Sequence, residues 1–203
     1  MKALQKMMCI FLCAAVVLGF SSCSKNVEMT EENVRQTVET VETALREFDT
    51  KTLKKYVESE TLSYILKFAE SKEQFADLGR AIFSALTLET QEIDLEKGTV
   101  TVKVVNRSLS ITATMFVHDL TNLYKGTALL SKLNDDDFLD KNLSKLNGQI
   151  EQQPIGSEET VTLKVAPGKK NLVLTFDETA ENAVSGGALG AVKSFTGGFS
   201  LKN

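Results

Sequence analysis

The segment Thr99-Val100-Thr101-Val102-Lys103-Val104 and its near copy Thr160-Val161-Thr162-Leu163-Lys164-Val165 constrain this chain more than any other feature. Apolar and polar residues alternate strictly in both, and successive side chains of an extended strand point to opposite faces. Val100, Val102 and Val104 therefore share one face, while Thr99, Thr101 and Lys103 share the other. Strands of this kind make a sheet with one dry and one wet face, and the dry face must be covered. The flanks of the two segments share nothing, so they are two strands meeting one requirement, not a tandem repeat. Turn chemistry brackets them. Glu96-Lys97-Gly98 reads as a hairpin turn, and Pro167-Gly168-Lys169-Lys170 leads into a partner strand with Leu172, Leu174 and Phe176 inward. Leu86, Leu88 and Thr90 share one parity and Ile93 and Leu95 the other, which predicts a β-bulge near Gln91-Glu92, or a break.

The rest of the chain supplies the cover. Thr30 offers an N-cap, Glu31 and Glu32 favour the first turn, and Val34, Val38, Val41, Leu45 and Phe48 form one stripe on a helix over about 31–48. Asp49 or Thr50 opens a second helical stretch with Leu53, Tyr56 and Val57, continuing through Leu62, Ile65, Leu66 and Phe68. Ser71-Lys72-Glu73-Gln74 has capping-box spacing and opens a third, with Phe75, Leu78, Ile82 and Phe83 on one face. Residues 109–150 have helical texture. Met115, Phe116, Leu120, Leu123 and Tyr124 suit one helix, and Asn134 caps another carrying Phe138, Leu139, Leu143 and Leu146. After Phe176, small residues recur at spacings of three and four, with Ala183, Gly187 and Ala191 four apart. Glycine inside a helix costs about 1 kcal/mol relative to alanine, so this segment predicts a helix from about 178 to 195 docked against a neighbour, with Thr196-Gly197-Gly198 marking its end. Helices, then a bent antiparallel sheet with a helical insertion between strands, make an α+β domain.

The N-terminus reads as an address. Lys2 and Lys6 precede the apolar run Met7 to Phe20, which is shorter than the about 20 residues of a membrane span, and Ser21-Ser22-Cys23 follows. This resembles a bacterial lipobox, in which the Cys23 thiol is linked to diacylglycerol and cleavage falls before it. Residues 1–22 are then a signal peptide, residues 23–29 a lipidated cysteine with a short tether, and residues 30–203 a single domain. Cys9 and Cys13 leave with the leader, so the mature chain keeps only Cys23. The resemblance implies a palmitate-type lipid anchor and an extracytoplasmic position in the bacterial cell envelope. The whole chain carries 23 basic and 27 acidic residues; without Lys2 and Lys6 the balance is 21 against 27, a net charge of −6. Such a chain is unsuited to nucleic acid, whose binding depends on Lys and Arg neutralising phosphates. Membrane attachment falls to the lipid on Cys23, since two acyl chains are about what stable anchoring needs.

Phe48 to Tyr56 (Phe-Asp-Thr-Lys-Thr-Leu-Lys-Lys-Tyr), the strand Val100 to Asn106, the hairpin Val161 to Phe176, and Asn182-Ala183 with Gly186-Gly187 together resemble the nuclear-transport-factor-2-like (cystatin-like) cone fold. The likeness covers about residues 30–195 and is specifically to small uncharacterised bacterial lipoproteins. It implies a fold and a location, and no activity.

Side chains suited to chemistry are few. His118-Asp119 is the one His–carboxylate neighbour pair, but adjacent residues on a helix point about 100° apart and do not readily pair. Asp135-Asp136-Asp137 with Asp140 lacks the alternating ligands, glycine and closing Glu of a calcium loop, and acids at a helix N-terminus explain the run. Gly186-Gly187-Ala188-Leu189-Gly190 lacks the Gly-Lys-Ser/Thr ending of a phosphate loop. Tyr56, Tyr64 and Tyr124 lie on apolar helical faces and suit a core. No catalytic, cofactor-binding or metal-ligating residue is assigned; Tyr56, His118, Asp119 and Tyr124 are the candidates for lining a pocket. These observations predict a lipid-anchored binding module for a small ligand or an envelope partner. The alternatives are a small cone-fold hydrolase or isomerase using a pocket carboxylate, and a structural accessory subunit. A buried carboxylate with a raised pKa would favour the enzyme, an apolar pocket the binding module, and a filled cone the interaction role.

Overall fold

The computed structural model describes residues 27–124 and 127–196, without the side chains of Thr127, Leu130, Val192, Phe195 and Thr196. The expected signal peptide, Cys23, the first residues of the expected tether and Gly197-Gly198 lie outside the described residues. Helix α1 (Glu31–Glu47) starts where its cap predicts, with the Thr30 hydroxyl accepting from the Asn33 N–H at 3.2 Å. Its stripe of Val34, Val38, Val41 and Leu45 is completely buried. The helix ends at Phe48 in a left-handed conformation (φ 52°), and Asp49 caps α2 (Thr50–Tyr56) by accepting from the N–H groups of Lys51 and Thr52.

The predicted continuation of α2 through Phe68 does not occur. Val57 is buried and the short strand β1 (Val57–Glu58) interrupts the helix; Ser59 then caps α3 (Glu60–Ser71), its hydroxyl accepting from Leu62 N–H at 3.0 Å. The predicted capping box at Ser71 is not formed either. Ser71 still belongs to α3 and donates to the Phe68 carbonyl, so α4 (Glu73–Phe83) begins after Lys72 without a side-chain cap.

Strand β2 (Thr87–Asp94) turns at Gly98 (φ 63°) into β3 (Thr99–Val105). Thr90 pairs with Val102 but Glu92 with Thr101, so Gln91 is the extra residue of the expected bulge. The insertion comprises α5 (Ser110–Leu123), α6 (Thr127–Lys132) and α7 (Asp136–Glu151). Asp135, one residue beyond the predicted Asn134, takes the N-cap position of α7 and accepts from Phe138 N–H. Strands β4 (Glu159–Pro167) and β5 (Leu172–Thr175) complete a sheet of order β1-β5-β4-β3-β2. The sheet is mixed, not purely antiparallel, because β1 pairs with β5 in parallel. That pairing is local in space and distant in sequence, so alternation within one segment could not show it.

The dry face carries Val100, Val102, Val104, Val161, Leu163 and Val165, all buried, and α1 and α8 (Glu178–Val184) pack on it. On the wet face Lys103 bridges Glu89 at 2.5 Å and Glu158 at 3.6 Å. The C-terminal segment docks as predicted, with Ala180, Ala183, Val184, Ala188 and Ala191 buried, but as two helices. Gly186 (φ 59°) and Gly187 (φ 85°) separate α8 from α9 (Ala188–Thr196). A second apolar cluster lies away from the sheet, where Leu109, Leu139, Leu143, Leu146 and Ile150 meet Ala81 and Ala188. Asn106, buried at the end of β3, joins the two clusters by donating to the carbonyls of Ile82 and Val184 at 3.0 and 2.7 Å.

Candidate functional site: an apolar cleft among the helices

Helix α5 packs against α9 and α7, but its apolar side is not closed over. None of its described residues is fully buried. Ala113, Phe116, Val117 and Leu120 face instead a cavity of about 640 Å³. Tyr64, Ile65 and Phe68 of α3 form the opposite wall, Leu78, Gly79 and Ile82 of α4 lie between, and Leu146 and Ile150 of α7 continue the lining. Tyr64 and Phe68 are 36% and 48% exposed, so the cavity reaches the surface as a cleft beside them.

Two details of packing hold the cleft in shape. The Phe48 ring, left-handed backbone and all, is buried and stacks on Phe83 with centroids 6.0 Å apart. Gly79 lets it in: a Cβ there would stand 2.5 Å from the Phe48 ring. The volume of the cleft lies within the range of about 300–1,000 Å³ typical of small-molecule sites. Unfilled apolar volume costs roughly 24 cal/mol per Å³. A sealed void of this size would thus cost a sum comparable with the whole stability of a domain, about 5–15 kcal/mol. The space is therefore one that solvent or a ligand fills, and its walls favour an apolar ligand over water.

Charge is confined to one edge. Glu60 and Thr61, at the start of α3, and Lys193 of α9 line the cleft there. Behind them Glu181 of α8 is 3% exposed and its carboxylate is fully engaged. It accepts from the Ser59 hydroxyl, from Thr61 N–H at 3.0 Å and from the Lys193 ammonium at 3.0 Å. Burial alone would push the Glu181 carboxyl up, but these donors outweigh it and hold its pKa below the ordinary value.

The four residues singled out in the sequence are not brought together, and none lines this cleft. Tyr56 borders a separate small depression with Asn33, Thr37 and Asn171. His118 and Asp119 lie exposed on α5, with Nδ1 3.8 Å from the carboxylate, and Asn122 within hydrogen-bond distance of the imidazole. The Tyr124 ring meets Phe138 edge-on at 5.3 Å. The polar residues that do border the cleft, Glu60, Thr61, Tyr64, Thr112 and Lys193, carry no motif in the sequence. Among the described residues no group of three or more His, Cys, Asp or Glu side chains is placed to hold a metal, and no helix is long and apolar enough to cross a membrane. Neither family models, nor curated proteins, nor solved structures match this chain.

Proposed function

We propose that this chain is a lipid-anchored protein of the bacterial cell envelope, facing the extracytoplasmic side, whose cone-type α+β domain binds a small apolar ligand. The cleft between α3 and α5 carries the reading: an aperture to the surface, walls mostly of aliphatic and aromatic side chains, and few polar groups, with the start of α3 and Lys193 joined through Glu181. The lipobox-like Ser21-Ser22-Cys23 supports the anchor and the location. The enzyme alternative calls for a pocket carboxylate poised to take up a proton near neutrality. Glu181, behind the cleft wall, is shifted in the opposite sense and spends its oxygens on three donors, so it does not meet that requirement.

Both halves of the proposal are testable. N-phenyl-1-naphthylamine, an uncharged fluorophore that brightens in apolar surroundings, should bind saturably to the domain. Ala113→Trp, which places a large side chain in the cleft, should abolish that signal while the far-UV circular dichroism stays unchanged. Undiminished binding in a folded Ala113→Trp variant would remove the cleft from consideration. Cys23→Ala should release the protein from membranes or leave an unprocessed precursor; unchanged retention and size would contradict lipidation.

A further inference from the structure

The edge of the cleft carries information about the ligand's polar end, given the reading of the cleft as a ligand site. Lys193 is the one cation among the described residues that line it. Its ammonium donates to the buried Glu181 carboxylate at 3.0 Å and stands 3.9 Å from Glu178, which fixes a flexible side chain against the cavity wall. An ammonium has three protons to donate, and Glu181 takes one. Glu181 and Lys193 cancel as charges, and Glu60 and Glu178 add two carboxylates to the same edge. Lys67, over the Tyr64 ring at 5.4 Å from its centroid, restores only one positive charge. The edge therefore presents a hydrogen-bond donor inside a field that is negative on balance.

From this juxtaposition we infer that the cleft takes a single-chain amphiphile with an uncharged, oxygen-bearing head, its chain between α3 and α5 and its head accepting from Lys193. An ester, hydroxyl or amide oxygen meets the donor without adding charge. A free carboxylate could meet the same donor only by adding a negative charge beside Glu181, Glu60 and Glu178. Glu181 acts here as a positioning residue, reached by the ligand only through Lys193.

Two probes with the same twelve-carbon chain separate these cases: monolauroylglycerol, uncharged, and dodecanoate, ionised at about pH 8 since carboxyl groups titrate near 4. Each is used below its micellar concentration to displace N-phenyl-1-naphthylamine from the intact domain. Monolauroylglycerol should displace it at a concentration at least about tenfold lower, the scale expected for a hydrogen bond to a charged donor. Equal potency, or preference for dodecanoate, would overturn the assignment. Lys193→Met keeps much of the side-chain length and removes the donor. It should weaken monolauroylglycerol about tenfold relative to the fluorophore measured in the same variant; an unchanged ratio of the two affinities would also overturn the assignment. Should the variant fail to fold, the comparison of the two amphiphiles on the unaltered protein still decides. If the fluorophore itself does not bind and neither amphiphile protects the protein against thermal unfolding, the failure lies in the cleft reading, and the head-group assignment falls with it.

Discussion

Glu181 shows how much a single carboxylate can organise. Buried behind the cleft, it joins the start of α3, through Ser59 and Thr61, to α9, through Lys193. Its donors hold the folded-state pKa below the ordinary glutamate value, so the charged form is the one the fold stabilises. The linkage sign follows: its contribution is fully present above the unfolded-state pKa, about 4.3, and is lost as the pH falls through the lowered folded-state value. Glu181→Gln should remove that part of the acid dependence and cost about 2–3 kcal/mol at neutral pH, because Lys193 loses its buried counter-charge and the amide cannot accept on both sides. Urea unfolding of the two proteins over an acid-to-neutral pH series measures both effects. Asp49 and Asp135 also have lowered pKa values, chiefly from the Thr52 hydroxyl and from Lys132, so the difference between the curves is the quantity that reports on Glu181. Parallel curves would contradict the account.

Elements announce themselves in a sequence when their signal repeats within the segment. The stripe of α1 and the alternation of β3 and β4 do so, and even the bulge at Gln91 was legible, because one extra residue changes the parity of every apolar position beyond it. Strand β1 has two residues and no period to read, and its partner lies more than a hundred positions away. Helix α5 is the more instructive case. Phe116 and Leu120 read as core, since an apolar side chain facing a cavity looks the same in sequence as one facing a packed neighbour. Ile111 and Met115, on its other side, are 74% and 61% exposed, so the pattern of this helix did not identify one buried face. The junction of α8 and α9 shows a composition signal with a different cause. The spacing of the glycines there suits small residues within a docked helix; the close approach is real, but the glycines serve it at a turn of positive φ. A Cβ at Gly186 would lie 1.8 Å from the Arg107 carbonyl oxygen, while Leu109 N–H donates to the Gly186 carbonyl at 2.7 Å. Gly186→Ala should therefore lower stability by about 2–4 kcal/mol through left-handed strain and backbone displacement, seen as a fall in melting temperature. An unchanged melting temperature would mean that this junction is not packed as described.

At the scale of the whole molecule the cleft lies where the two apolar clusters meet. Phe48 and Phe83 of the cluster packed on the sheet line it from one side, and Leu109, Leu146, Ile150 and Ala188 of the cluster among α4, α5, α7 and α9 line it from the other. Helix α1 runs toward the cleft: its N-terminal end follows the proposed tether, and Phe48 beyond its other end lines the cleft. Seventeen helical residues span about 25 Å, so a lipid on Cys23 would hold the domain by the end of α1 opposite the cleft. Ligand binding should leave the sheet half nearly untouched and act on the helical half. Methyl-resolved NMR during titration with monolauroylglycerol tests this most directly. The account predicts saturable shifts at Leu78, Ile82, Leu120 and Leu146, with Val102 and Leu163 beneath α1 unmoved. Shifts that never saturate, or that gather on Ile111 and Met115 while the cleft methyls stay still, would contradict it.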